Sequence, residues 1–195
     1  MKICIYGSSS DRIDEKYKKV TFDLGAALAS KGHSLIYGGG AHGVMGALAR
    51  GFKSKGGHVT GVIPEFFKTT HAESLYYDCD EIVWCDTMHE RKQIMEGLAE
   101  AFVIAPGGVG TYDEFFAALT NKQLARHFAP IAVFSPFGFF DSLNALLEDG
   151  YKEKFINEPC RMLYRFFDDI GALIDYLENE KPFDHAAVAN ALKDG

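Results

Sequence analysis

Two side chains and one turn in this sequence have the types and spacing that chemistry needs. The turn is Pro106-Gly107-Gly108-Val109-Gly110-Thr111, followed by Tyr112, Asp113 and Glu114. An apolar run over 101–105 leads into it and a helical pattern over 115–125 leads out, which predicts a strand, a glycine turn and a helix start. Glycines let the backbone turn tightly and approach a ligand with no Cβ in the way. The first turn of a helix offers free N–H groups at the positive end of its dipole, a fit for phosphate. Glu114 then stands as an acid over the same pocket. Upstream, Met88-His89-Glu90-Arg91-Lys92 opens another predicted helix, over 88–100. Two adjacent cations near a helix N-terminus oppose its dipole, so a bound anion or Glu114 is expected to compensate. A solvated helix face would explain Arg91 and Lys92 taken alone. The phosphate-shaped turn after the next strand favours a site. Together these residues read as the active site of an enzyme for a phosphorylated, nucleotide-like small molecule.

The elements that must position this site follow from hydrophobic periodicity. Apolar runs predict strands over 2–6, 34–37, 58–63, 81–84, 101–105 and 130–134. Helical spacing predicts helices over 14–30, 44–55, 88–100, 115–125, 139–147 and 168–178. The stretches 65–80 and 155–164 read as irregular. Alternating strands and helices imply right-handed βαβ units and a parallel sheet covered on both faces. Strands buried on both faces are continuous apolar runs, as here. The expected fold class is α/β: a doubly wound, Rossmann-like parallel sheet with helices on both faces. One domain is expected over 1–180, with a polar tail or short helix over 181–195. In such sheets ligands bind beyond the carboxyl ends of the strands. Three loops there are rich in glycine or serine, over 7–10, 38–43 and 107–110, and should share one pocket. Ser8, Gly39 and Gly43 join the candidate contacts on that ground.

Composition narrows the function classes. The 195 residues are 47% hydrophobic and 24% charged, with a net charge of −7, which argues against non-specific binding to nucleic acid or anionic membranes. No apolar stretch reaches the roughly 18–20 residues that span a bilayer. The N-terminal residues enter a strand with no signal-peptide layout, so a cytoplasmic location is expected. Cys4, Cys79, Cys85 and Cys160 show no metal-ligand spacing and read as small apolar side chains in a reducing compartment. Residues 38–43 have the GxGxxG spacing but follow the second strand, which ends in Tyr37 rather than an acid. A dinucleotide cofactor is therefore disfavoured. There is no P-loop, no GxSxG elbow and no HExxH, so no cofactor or metal is expected. His42, in the second glycine loop, and His89, beside Arg91, are candidates to line the pocket, with an ordinary structural role as the alternative for each. Asp113 is expected to serve the helix N-terminus. The phenylalanines over 128–140 read as core or subunit interface, with some available to stack on a base.

The PGGxGTxxE pattern ending at Glu114, with Arg91-Lys92 upstream, resembles the Lonely Guy family of cytokinin riboside 5′-monophosphate phosphoribohydrolases. That family long carried the label of possible lysine decarboxylases. The stretch from Tyr37 to Gly46 is similar to its second glycine motif, and Gly61-Val62-Ile63-Pro64 also fits. The resemblance runs over 1–178. It implies hydrolysis of a nucleoside 5′-monophosphate to free base and ribose 5-phosphate, without a cofactor, by a homodimer. It implies catalytic roles for Arg91 and Glu114 and phosphate binding by Gly107, Gly108, Gly110 and Thr111. By count it implies that Thr120 and Glu73 contact substrate, with Met88 and Lys92 from the Arg-Lys motif. The opening departs from the family pattern, with Tyr6-Gly7-Ser8-Ser9 where Cys-Gly-Ser-Ser is usual. Two alternatives stand beside this reading: a general purine or pyrimidine monophosphate nucleosidase, and a nucleotide-binding protein without turnover. No lysine occupies a recognisable Schiff-base site, which disfavours a decarboxylase.

Overall fold

The computed structural model describes residues 1–70 and 74–180. Seven parallel strands form one sheet: β1 (Lys2–Tyr6), β2 (Ser34–Tyr37), β3 (Val59–Pro64), β4 (Glu81–Cys85), β5 (Ala101–Ile104), β6 (Ile131–Phe134) and β7 (Arg165–Phe167). Their spatial order is β4-β3-β2-β1-β5-β6-β7. The chain therefore reverses its winding between β1 and β5, and ligand crevices in doubly wound sheets open at such a switch point.

Helices α1 (Glu15–Ser30), α2 (Gly43–Ser54) and α7 (Ile170–Asn179) bury Leu24, Leu28, Leu48, Phe52 and Leu173 on one face, against Ile3, Ile5 and Leu35. Helices α4 (Met88–Leu98), α5 (Val109–Gln123) and α6 (Asp141–Lys152) bury Met95, Phe115, Leu143 and Leu147 on the other, against Cys4, Ile36 and Phe102. Alternate residues of β1 feed the two cores, as the pleat requires. Among the described residues no helix is long and apolar enough to cross a membrane.

Three elements differ from the sequence expectation. β7 was not expected: it has three residues and draws its strand character from pairing with β6. The irregular stretch before β4 contains a one-turn helix, α3 (Phe67–Thr70). α5 starts at Val109, well before the predicted position, so Gly110 and Thr111 lie in its first turn. The predicted tail over 181–195 lies outside the described residues.

α5 also carries a fully buried lysine. Lys122 Nζ donates to the Leu163 carbonyl at 2.9 Å and ties α5 to the 3-10 turn Glu158–Leu163. Burial pushes its ammonium down to about 8. The unfolded chain holds this proton up to pH ~10.4, so above pH ~8 the unfolded state binds more protons and stability rises with pH. Wild type should gain about 1–2 kcal/mol on Lys122→Met between pH ~7.5 and ~9.5. Denaturant melts of both proteins across that range check this, and parallel curves would contradict it.

Candidate active site

Three loops interlock at the carboxyl ends of β1, β2 and β5. Ser8 N donates to Pro106 O at 3.0 Å, and Met45 N donates to Ser8 O at 3.1 Å. Gly43 sits at φ 60 with its Cα against the Ser8 and Ser10 carbonyls, where a Cβ would come within 2.6 Å of each. No other residue lets the β2 loop pack this tightly on the β1 loop. The interlocked loops frame a cleft of about 370 Å³. Ser8, Gly108, Gly110, Thr111 and Glu114 reach it from the β1 and β5 loops. Gly38, Met45, Phe67, Met88 and Arg91 reach it from β2, α2, α3 and α4.

Local sequence sets α4 in place. Thr87 Oγ1 accepts from Glu90 N at 3.1 Å, and Glu90 Oε2 accepts from Asp86 N at 2.7 Å. This reciprocal cap starts the helix one residue before Met88. Arg91 then projects inward and is 6% exposed. Its Nε donates to Val62 O at 3.1 Å and its Nη2 to Gly38 O at 2.9 Å. Nη1 faces Met88 Sδ at 3.8 Å, and the Phe67 ring lies 6.0 Å from the guanidinium carbon. The carbonyls of β3 and of the β2 end thus supply the negative partner that the helix dipole withholds. Gly38 is required at its position, because a Cβ there would overlap Arg91 Nη2.

Lys92 does not share this fate. Its Nζ pairs with Asp113 Oδ2 at 2.8 Å on the outer surface, bridging α4 to α5. Asp113 therefore serves a neighbouring lysine rather than the N-terminus of its own helix.

The head of α5 is built for an anion. Its N-cap is Gly108, which has no side chain to cap with. Tyr112 N donates to Gly108 O at 3.0 Å, so the amides of Val109, Gly110 and Thr111 precede the first intrahelical bond. Thr111 is buried with its hydroxyl against Gly107, where a Cβ would overlap Oγ1. Glu114 stands one turn further along, facing the same cleft.

Of the residues singled out from sequence, the cleft brings together Ser8, Met88, Arg91, Gly108, Gly110, Thr111 and Glu114. Five others lie elsewhere. Gly39, at φ 78, packs on Ile63 and shapes the β2 loop, as Gly43 does from its own turn. Lys92 faces outward. Gly107 lines a smaller neighbouring cavity with Ile13, Tyr17 and Phe139. Thr120 is exposed almost two turns beyond Glu114, outside the cleft wall. Glu73 lies outside the described residues. His42 and His89 are exposed and line no part of the cleft. The sequence reading missed Tyr6, Met45 and Phe67, and placed Gly38 at the pocket only as part of the 38–43 loop. Phe67 sits in a stretch with no periodicity to find it by.

A buried guanidinium, a carboxylate and an uncapped helix head in one cleft suit a phosphorylated substrate on which positive charge develops. Comparison with known proteins shows the family. The family model described as "Possible lysine decarboxylase" matches residues 45–177. The cytokinin riboside 5′-monophosphate phosphoribohydrolase of Mycobacterium tuberculosis is 45% identical over 133 residues, covering 66% of this chain and 70% of that protein. The Arabidopsis thaliana enzyme LOG2, of the same name, is 31% identical over 93% of this chain and 84% of its own. The probable enzyme LOGL5 of Oryza sativa is 32% identical over 96% of this chain and 76% of its own. Among solved structures, the molybdenum cofactor carrier protein of Chlamydomonas reinhardtii superposes with a TM-score of 0.66 at 21% identity, over 98% of both chains. The molybdenum cofactor binding protein of Rippkaea orientalis gives 0.65 at 19% identity, over 91% of this chain and 93% of that one. At such identities these two speak for the fold alone. By its family model and its relatives over nearly the whole length, the chain belongs to the Lonely Guy family, the cytokinin riboside 5′-monophosphate phosphoribohydrolases.

Proposed function

We propose that this protein is a hydrolase that cleaves the N-glycosidic bond of a nucleoside 5′-monophosphate, giving free base and ribose 5-phosphate. The observation that carries it is the convergence of Arg91, Glu114 and the uncapped head of α5 in one cleft. The phosphate sits on the amides of Val109, Gly110 and Thr111 and on the Thr111 hydroxyl. Ribose then lies within reach of Glu114, one turn along the helix. As the glycosidic bond breaks, C1′ gains oxocarbenium character, and the Glu114 carboxylate stabilises that charge and orients the attacking water. The water oxygen ends on C1′ and a proton ends on the departing base nitrogen. A guanidinium is a fixed charge with donors and no acceptor, so Arg91 serves as an electrostatic and hydrogen-bond partner, not as the acid. Met45, Phe67 and Met88 give the base an apolar wall.

Incubation with AMP and isopentenyl-AMP, followed by chromatography for free base and ribose 5-phosphate, tests this. Product from either supports the reading, and their ratio reports base preference. No product from any nucleoside monophosphate would overturn it.

The same reading includes a homodimer in the cytoplasm. Phe116, Thr120 and Leu124 fall at four-residue intervals on α5, and Phe116 and Leu124 are exposed, as is Val109 at its head. Residues so spaced form one helical stripe. A second copy covering it would bury apolar surface and bring Thr120 to an interface beside the cleft. Four free cysteines accord with a reducing compartment. Sedimentation equilibrium should return twice the chain mass, and Leu124→Glu should return the monomer.

A further inference from the structure

One polar atom beneath the cleft has no part in the reaction above. Tyr6 ends β1, lines the cleft and is 2% exposed. Its ring stacks on Phe102 with centroids 6.4 Å apart. Its hydroxyl is buried without a hydrogen-bond partner among the described residues. An orphaned buried hydroxyl costs about 1–3 kcal/mol, so something must engage it or the position is wasteful. Of the ionisable groups that act on it electrostatically, one also lines the cleft with it, Glu114. These groups are Cys4 on the same strand face, Glu96 on α4 and Glu114 on α5, with Arg91 of α4 close enough to act on the adjacent Cys4 thiol. Cys4 is wholly buried and adds to the upward push on the phenol, but forms no bond of ordinary geometry with it. Glu96 is engaged already, accepting from Asn121 Nδ2 at 2.8 Å. Burial first, then Cys4, then the charges of Glu114 and Glu96 hold the phenol well above its ordinary value. It keeps its proton at any working pH, so toward a carboxylate it is a donor.

We propose that Tyr6 is a positioning residue for Glu114: its hydroxyl donates to the Glu114 carboxylate through one buried water and holds it facing the ribose. This rests on the hydrolase reading.

Tyr6→Phe keeps the ring and its stacking and removes only the hydroxyl. The expected result is a kcat about 10-fold lower, the equivalent of about 1.4 kcal/mol, with KM for AMP within about twofold. The acid limb of kcat/KM moves to higher pH, because losing a donor disfavours an ionised carboxylate. The melting temperature changes little, because the bond that is lost is offset by the desolvation cost of the hydroxyl that Tyr6→Phe removes. Wild-type rates with an unmoved acid limb would overturn the proposal. So would a raised KM with a lower melting temperature, the mark of a packing role. Carbon-13 NMR titration of the Glu114 carboxyl in the ligand-free protein reads the contact without turnover. The variant's carboxyl should titrate at higher pH than wild type's, and superimposable curves overturn the proposal whatever becomes of the hydrolase reading. An inactive wild type would instead strike the hydrolase reading alone.

Discussion

Glu114→Gln loses at least about 10³-fold in kcat, while AMP still binds within about threefold of wild type. Glu114 lines the same cleft as the uncapped head of α5. Glutamine keeps the shape and the hydrogen-bonding capacity of the ground state. It removes the negative charge that matters only as C1′ turns cationic. An interaction present only in the transition state shows in kcat and not in affinity. Single-turnover hydrolysis of AMP together with calorimetry of the inactive variant separates the two. Undiminished turnover would remove Glu114 from the mechanism. A parallel loss of binding would make it a binding group instead.

Arg91→Ala loses both activity and stability. Its guanidinium bridges Val62 O and Gly38 O from a buried position, so truncation orphans two carbonyls inside the fold. About 2–4 kcal/mol of stability should go with it. kcat/KM should fall by more than about 10²-fold, because the fixed positive charge of the cleft goes too. Arg91→Lys does not rescue. One ammonium on a flexible stem cannot span two carbonyls that a planar fork meets at once. Urea melts and steady-state kinetics on both variants check this. A lysine variant with wild-type stability and rate would show that charge alone is needed at this position.

These two residues also mark the limits of reading the chain by itself. The sequence reading placed a cation pair at a helix N-terminus and expected an anion or Glu114 to compensate. The structure divides the pair. Arg91 turns in and finds backbone carbonyls 29 and 53 residues away in the chain. Lys92 turns out and finds Asp113, 21 residues on. A helix turns through about 100° per residue, so adjacent residues cannot share a face. Which of the two faces the core depends on how α4 lies on the sheet, and local pattern does not carry that. The glycines divide for a similar reason. Gly108 and Gly110 reach the cleft, whereas Gly39 and Gly43 are needed where loops press on Ile63 and on the Ser8 and Ser10 carbonyls.

Local signals were enough for everything written in short-range periodicity and turn chemistry. Six strands, the alternating helices, the parallel doubly wound sheet and the glycine-headed helix were all legible, because side-chain burial repeats with the period of the element itself. The glycine turn and Glu114 were legible as one cluster because they lie within nine consecutive residues. Tertiary structure alone decided the rest. It made a strand of Arg165–Phe167, whose three residues gain that character by pairing with β6. It brought Phe67 to the cleft, placed Thr120 on an outer stripe, and buried the Tyr6 hydroxyl without a partner beside the cleft. Each of these depends on packing between segments far apart in the chain, and the free energy of such contacts is not encoded in any one stretch.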